Sequence, residues 1–206
     1  MVTPGPPGPL TADTHALDEG THLYRLFTNS PDRHADTFNP GLGTPTRFAF
    51  FGDPPVPVLY AGESEIAAIS ETLLHDIPAS GGALLPGDYQ NKVMGRLVAQ
   101  RPLRLASFMG TGFRTMGAAA EDVTRTPASR YGETVLWAEA AHAAGFEGIA
   151  WMSRQCDTEK AYVFFGDRVR EDDFVMDPAY GRAFALPNDA DWLTRLCSPL
   201  RIEVRR

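Results

Sequence analysis

The sequence predicts an α+β protein with a mixed β-sheet core and flanking helices. Short apolar stretches of strand length recur along the chain, while other segments have the periodicity of amphipathic helices. The chain has 206 residues, of which 43% are hydrophobic and 22% are charged, as is typical of a single globular domain. We therefore expect one hydrophobic core.

The N-terminal region differs in composition from the rest of the chain. Residues 1–20 are rich in Pro, Gly and Thr and have no apolar periodicity, which predicts a flexible lead-in. Order is expected from near Thr21, so that residues 21–206 form the single folded domain.

The first predicted strand, His22–Phe27, has alternating faces and places Arg25 among hydrophobic side chains. Residues 29–46 contain turn sequences rich in Asn, Pro and Gly, and are expected to be a loop. This loop leads to Arg47 and to Phe48–Phe51, which is predicted to be a short aromatic strand.

A strand followed by a helix is predicted next. Val56–Ala61, which contains Tyr60, is suited to a buried strand, and Ser64 is a good N-cap for the helix that follows. At 100° per residue, Glu71 lies at the edge of the apolar stripe of this helix and not opposite it. Its carboxylate is therefore expected to be partly buried.

The second half of the chain alternates loops with further elements. Ala79–Gly87 is predicted to be a loop, and the region from Glu171 is expected to be rich in loops. The other predicted elements are two meander strands (Lys92–Leu97 and Leu103–Ser107), a helix that ends at Gly145 (Gly132–Ala144), two core strands (Gly148–Met152 and Ala161–Phe165) and a short helix (Asp191–Leu196).

Composition argues against several classes of protein. The sequence contains no apolar run of about 18 residues and no signal-like N-terminus, so a cytoplasmic protein without a membrane span is expected. The net charge of −7 disfavours direct binding of nucleic acids. The five histidines lack metal-ligand spacing, so no metal site is predicted. Cys156 and Cys197 are assigned no role.

Polar residues at the ends of apolar strands are the remaining candidates for chemistry. They are Arg25, Arg47, Tyr60, Glu71 and Ser153. Each also has an ordinary structural interpretation, such as an edge charge, a core aromatic or a turn residue.

The order of these segments resembles the RES domain family over roughly Thr21 to Val169. The matching segments are LYR (Leu23–Arg25), Arg47, LYAGESEIAAISETL (Leu59–Leu73), GFEGIAWMS (Gly145–Ser153) and YVFF (Tyr162–Phe165). The family is named after an arginine, a glutamate and a serine. The resemblance assigns these to Arg25 or Arg47, to Glu71 and to Ser153.

The resemblance also implies a fold and a function. Members of the family are similar in fold to bacterial ADP-ribosyltransferase toxins and are typically toxins of toxin–antitoxin pairs. They hydrolyse or phosphorolyse NAD, or ADP-ribosylate a target. The resemblance thus implies a RES-like catalytic domain over residues 21–206, with NAD as substrate and no other cofactor. Inorganic phosphate would be a co-substrate and a cognate antitoxin a partner, and a homo-oligomer is compatible with this interpretation.

In that chemistry, Glu71 would stabilise the positive charge that develops on ribose when nicotinamide leaves. Arg25 and Arg47 would bind the phosphates of NAD or an incoming phosphate, because a guanidinium donates two parallel hydrogen bonds.

Three further residues would contact the substrate. The Tyr60 ring would pack against nicotinamide while its hydroxyl orients ribose, and Ser153 would donate to a ribose or phosphate oxygen. Phe48 would be an aromatic wall where the family usually has Trp. The chain departs from the family in the segment after Ser153, RQCDTEKA, which is more charged than the loop expected there.

Three functions remain open from the sequence. The first is an enzyme that consumes NAD with phosphate or water as acceptor. The second is a protein ADP-ribosyltransferase with the same residues and a macromolecular acceptor, since acceptor choice depends on the surrounding loops. The third is a catalytically inactive RES-like binding module.

Overall fold

A computed structural model of the chain describes residues 5, 6 and 8–206. Its strands are β1 (Thr14–Leu17), β2 (His22–Thr28), β3 (Val58–Gly62), β4 (Gly82–Leu84), β5 (Lys92–Ala99), β6 (Leu103–Phe108), β7 (Gly148–Met152), β8 (Lys160–Phe165), β9 (Phe174–Ala183) and β10 (Ile202–Val204). Its α-helices are α1 (Glu65–Thr72), α2 (Pro86–Tyr89), α3 (Gly112–Met116), α4 (Ala120–Val123), α5 (Tyr131–Ala143) and α6 (Pro187–Cys197). The predicted α+β class is confirmed.

The main sheet has the strand order β1-β6-β7-β8-β3-β2-β5-β9, and β10 pairs separately with β4. Within the main sheet β6 and β7 are parallel, whereas the other neighbours are antiparallel. Because β3 and β7 both pair antiparallel with β8, they run in the same direction and end at the same edge. The segments that follow these two strands are therefore brought close together.

The register of the strands divides the side chains between two faces of the sheet. Tyr24 is paired with Gly62, so both residues lie on the same face as Tyr60, because successive strand residues alternate between faces. Helix α1 packs against this face through its own buried residues, which include Ala68 and Ile69. Arg25, one position after Tyr24, lies on the opposite face.

The predictions for β2, β3, α1, α5, β7 and β8 are confirmed to within a few residues. Serine 64 caps α1, since its hydroxyl oxygen accepts a hydrogen bond from the Ala67 N–H at 3.3 Å. Gly145, with φ of +90°, follows the C-terminus of α5, where a left-handed conformation favours glycine.

Folded structure begins earlier than the sequence predicts. Thr14–Leu17 lies within the predicted lead-in of residues 1–20, but it forms β1 and pairs antiparallel with β6. Leu17 is 2% exposed in the core. The sequence does not reveal this strand for two reasons. Four residues without an apolar run are too short to show the alternation typical of a strand, and the pairing partner lies far away in the sequence.

The aromatic segment Phe48–Phe51 is not the predicted strand. Thr46 and Ala49 form an isolated bridge around a turn that contains Arg47 and Phe48. The backbone thus pairs with itself locally, and Phe48 is fully buried by this turn.

Three predictions for the second half were also wrong. β5 and β6 are strands as predicted but do not form a meander, because β5 pairs with β2 and β9 whereas β6 pairs with β1 and β7. The region from Glu171 contains the ten-residue strand β9, and Ala79–Gly87 contains β4. In both regions the strand pairs with residues far away in the sequence.

Within the described part of the chain, no helix has the length and apolar character needed to cross a membrane.

We expect Gly62→Ala to lower the free energy of unfolding by about 1–3 kcal/mol, the usual cost of overpacking. A Cβ atom at Gly62 would lie 2.6 Å from the Ala68 nitrogen and 2.9 Å from the Ala67 Cβ, where α1 packs on β3. Urea unfolding of the variant measures this change. The matched control is Gly132→Ala in exposed helix, which has no atom within 4 Å of the added Cβ. If Gly62→Ala, like the control, were no less stable than the wild type, the tight packing of α1 on β3 would be contradicted.

Candidate active site

Glu71 lies near the C-terminus of α1, next to the helix face that packs on the sheet. The side chain is half-buried, which agrees with its predicted position at the edge of the apolar stripe. Its Oε1 atom accepts a hydrogen bond from the Ser153 hydroxyl at 2.7 Å. No hydrogen bond from the described residues reaches Oε2, so one carboxylate oxygen is available to a ligand.

Ser153 follows β7, at the sheet edge where β3 also ends. It is fully buried, and its backbone is fixed by a hydrogen bond from its N–H to the Glu159 carbonyl at 2.9 Å. The Ser153 carbonyl in turn accepts from the N–H groups of Cys156 and Asp157. The hydroxyl that holds Glu71 is therefore attached to a closed turn and not to a free loop.

Arg47 is buried in the turn before β3, with 7% of its surface exposed. Its Nη1 atom donates to the carbonyls of Val123 and Thr126, at 3.3 and 3.1 Å, and to the Thr126 hydroxyl at 2.7 Å. The Thr134 hydroxyl donates to the Arg47 carbonyl. Among the described residues, no carboxylate lies within ion-pair distance of this guanidinium, so its charge is compensated by dipoles.

Tyr131 covers the guanidinium of Arg47. The Arg47 Cζ atom lies 4.9 Å from the centre of the Tyr131 ring, and Nη2 lies 3.5 Å from the Tyr131 oxygen. Burial lowers the pKa of Arg47, while the nearby Tyr131 and Glu71 act in the opposite direction and Arg154 reinforces the lowering. Glu71, Tyr131 and Arg154 are thus close enough to Arg47 to influence its charge.

Tyr60 fixes the turn that carries Arg47. Its hydroxyl oxygen accepts hydrogen bonds from the Thr46 hydroxyl at 2.9 Å and from the Phe48 N–H at 3.1 Å. Burial raises the pKa of the Tyr60 hydroxyl above its ordinary value, so it remains protonated. The ring packs edge-on against Trp151, with centroids 6.1 Å apart. Tyr60 therefore positions Arg47 as well as lying beside the site.

Phe48 does not form the exposed aromatic wall that the sequence predicts. It is fully buried and packs edge-on against Phe108 and Trp151, with centroids 5.8 and 5.1 Å away. The ring supports the turn from inside the core.

The structure does not bring Arg25 to the other predicted residues. Its Nη1 atom donates to the carbonyls of Ala35 and Thr37, at 2.7 and 2.6 Å, on the sheet face opposite Tyr60. Burial lowers the pKa of this guanidinium to about 10. Arg25 fastens the loop after β2 to the sheet, whereas Arg47 lies close to Glu71.

Two residues missed by the sequence predictions line a recess beside the segment that follows α1, and both are close enough to Arg47 to influence its charge. The recess has a volume of about 440 Å³, and Tyr131 and Arg154 are part of its lining. Tyr131 is the first residue of α5, and helix periodicity gave no reason to select it. Arg154 begins the charged segment after Ser153, which the comparison with the family marked only as unusual.

A larger cavity, of about 560 Å³, is lined by residues of β5 and β9 and of the loop after β2. Its charged side chains are already paired: Arg96 contacts Asp177 at 2.5 Å, and Arg182 contacts Asp189 at 3.5 Å. It therefore offers no uncompensated charge to a ligand. Throughout residues 5, 6 and 8–206, no cluster of three or more His, Cys, Asp or Glu side chains could hold a metal ion.

Comparison with known families identifies the domain. A model described as the RES domain matches residues 22–187, which is most of the chain. The chain belongs to the RES domain family. The resemblance based on the tyrosine strand, the Glu71 helix and the serine after β7 is thereby confirmed.

A solved structure with a similar fold is found by structural comparison. A chain in the crystal structure of the MbcT–MbcA toxin–antitoxin complex of M. tuberculosis is similar, with a TM-score of 0.58 and 14% sequence identity. The match covers 90% of this chain and 91% of the other. At this identity the likeness shows the fold alone. No curated protein sequence matches the chain.

We expect Tyr60→Phe to lower the stability of this RES domain by about 1–2 kcal/mol, because the Phe48 N–H and the Thr46 hydroxyl lose their acceptor. Urea unfolding measures the change. Tyr162→Phe is the matched control. This tyrosine is also buried, but it stacks on Phe164 and makes no hydrogen bond to the Arg47 turn. If Tyr60→Phe were as stable as the control, the hydroxyl would not hold the turn.

Proposed function

We propose that this RES domain cleaves the bond between nicotinamide and ribose in NAD, with phosphate or water as the acceptor of the ADP-ribosyl group. The observation that carries the proposal is the half-buried Glu71 carboxylate, fixed by the Ser153 hydroxyl at 2.7 Å and close to the buried Arg47. A fixed carboxylate beside a cation matches a substrate that becomes positively charged at ribose and is negatively charged at its phosphates.

Bond cleavage develops positive charge on ribose before the acceptor attacks. The bond between C1′ and the nicotinamide nitrogen breaks, and its electron pair leaves with neutral nicotinamide. An oxygen of phosphate or water then bonds to C1′, and when water is the acceptor its one surplus proton passes to solvent. Oε2 of Glu71 is free to accept from a ribose hydroxyl, and the carboxylate stabilises the cation more strongly than neutral ribose.

Ser153 is a positioning residue in this scheme. Its hydroxyl donates to Oε1 of Glu71, which fixes the carboxylate and leaves Oε2 for the ligand. Because the Ser153 backbone is itself anchored to Glu159, the carboxylate needs little reorganisation during the reaction. Nη1 of Arg47 is occupied by protein acceptors, whereas the only described partner of Nη2 is the Tyr131 oxygen at 3.5 Å, which leaves Nη2 for the ligand in this scheme.

A toxin of a toxin–antitoxin pair is the biological role that we propose for this activity. The similar solved chain comes from a toxin–antitoxin complex, and the family resemblance implies the same role. Expression of the chain alone is expected to arrest growth, and co-expression of a cognate antitoxin to restore it. If a variant keeps full NAD turnover in vitro but its expression does not affect growth, the role as a toxin is contradicted and the proposed chemistry is not.

We expect Glu71→Gln to lower kcat for release of nicotinamide by about 100-fold or more, with a smaller change in KM, because the amide carries no negative charge. Chromatography of free nicotinamide from purified protein and NAD measures this. Glu139→Gln, at an exposed position of α5, is the matched control and is expected to keep wild-type turnover. Absence of nicotinamide release from folded wild type would refute the proposal.

We expect Ser153→Ala to lower kcat by roughly tenfold, and the double variant with Glu71→Gln to be no slower than Glu71→Gln alone. The reason is that Ser153 acts through Glu71, so its effect disappears when the carboxylate is absent. Additive losses in the double variant would show that the hydroxyl acts independently of Glu71.

The acceptor is identified by the product. With NAD and inorganic phosphate, phosphorolysis gives a 1-phosphorylated ADP-ribose, whereas hydrolysis gives free ADP-ribose with or without phosphate. Mass spectrometry distinguishes the two products. Label that remains attached to protein in a lysate containing labelled NAD would instead support a protein ADP-ribosyltransferase.

A further inference from the structure

We propose that Arg154 forms, together with Arg47 and across Tyr131, a subsite for the pyrophosphate of the substrate. This inference rests on the proposed function, because it assigns the phosphate end of the same ligand. It replaces Arg25, which the sequence suggested as the second phosphate-binding cation and which lies on the other face of the sheet.

The position of Arg154 is set by its neighbour in the chain. Ser153 holds the carboxylate that faces the reacting ribose, and the next Cα atom along the chain is about 3.8 Å away. In NAD the pyrophosphate is attached to the 5′ carbon of that same ribose. The long, exposed side chain of Arg154 can therefore reach the phosphate end of a substrate whose ribose contacts Glu71.

Tyr131 connects the two arginines. Its ring covers the Arg47 guanidinium at 4.9 Å, and the same tyrosine lines the recess together with Arg154. Throughout residues 5, 6 and 8–206, neither Arg47 nor Arg154 has a carboxylate within ion-pair distance. Two guanidinium groups without an ion-pair partner, one lining the recess and the other covered by Tyr131 at its side, favour an anion at this place.

The turn that carries Arg154 is anchored on both sides of the recess. The Gln155 amide donates to the carbonyls of His75 and Ile77, at 3.3 and 3.0 Å, after α1. On the other side Asp157 forms an ion pair with Arg125 at 3.0 Å. The backbone of Arg154 is therefore held at the mouth of the recess, while the exposed side chain remains able to reach a ligand.

One negative charge among the lining residues acts against anion binding. Asp76 lines the recess, but its side chain is 71% exposed and its carboxylate contacts the His75 Nε2 atom at 2.8 Å. Solvent and this contact both screen it. Arg154 and the nearby Arg47 therefore act on a ligand with two negative charges more strongly than the solvent-exposed Asp76 does.

The first test measures binding of ADP-ribose, which contains the pyrophosphate but no nicotinamide. By calorimetry we expect Arg154→Ala to bind ADP-ribose about tenfold more weakly than wild type, and Arg154→Lys to lie between the two, because lysine keeps the charge but loses the planar fork. Arg195→Ala, an exposed arginine on α6, is the matched control for net charge and is expected to bind as wild type does.

The second test compares NAD with nicotinamide riboside, which has the same scissile bond and no pyrophosphate. We expect Arg154→Ala to raise KM for NAD about tenfold with kcat unchanged, and to leave both constants unchanged for nicotinamide riboside. A residue that only maintains the fold of the turn would instead impair both substrates. Such equal impairment would overturn the subsite.

The two proposals fail in different ways. If folded wild type releases no nicotinamide but binds ADP-ribose in an Arg154-dependent manner, the reaction is refuted and the subsite is supported. If wild type is active and Arg154→Ala has unchanged affinity for ADP-ribose and unchanged KM for NAD, the subsite is refuted and the reaction stands. Failure of wild type to bind ADP-ribose would also refute the subsite.

Discussion

The burial of the Arg47 guanidinium is the constraint on which the rest of the site depends. Removing a charge from water without an opposite charge nearby has a penalty of several kcal/mol, so the fold must supply other compensation. It does so with two carbonyls and a hydroxyl from residues 123–126, and with the face of Tyr131. These groups lie between the end of α4 and the start of α5, in residues 123–131, which are thereby fixed against the turn before β3.

Protein dipoles can satisfy the hydrogen-bonding capacity of Arg47 without cancelling its charge. The field of the guanidinium therefore remains available to Glu71 and to a ligand, which a direct ion pair would have reduced. Ser153 has a matching effect on the carboxylate, since a neutral hydroxyl holds Glu71 without neutralising it. The site thus keeps both signs of charge separate and fixed in position.

Local sequence patterns predicted the elements that carry the site but not their assembly. The N-cap at Ser64 and the helical spacing placed Glu71 at the border of the buried face because these are properties of one helix. The choice between Arg25 and Arg47 depends on the pairing of β2 with β3, which is a long-range property. Tyr131 could not be selected, because its role arises only when the start of α5 packs on the Arg47 turn.

Strand β8 contributes no side chain to the proposed chemistry, yet it separates β7 and β3, which are followed by the segments that carry Ser153 and Glu71. Lys160 and Ala161 pair with the last residues of β7 and β3, so β8 alone determines how far the serine after one strand lies from the helix after the other. A slip of one residue in either pairing would displace one partner by about 3.3 Å and invert the faces of that strand. The 2.7 Å hydrogen bond between Ser153 and Glu71 tolerates no such slip, so substitutions that loosen β8 would abolish the proposed activity without any contact to the proposed substrate.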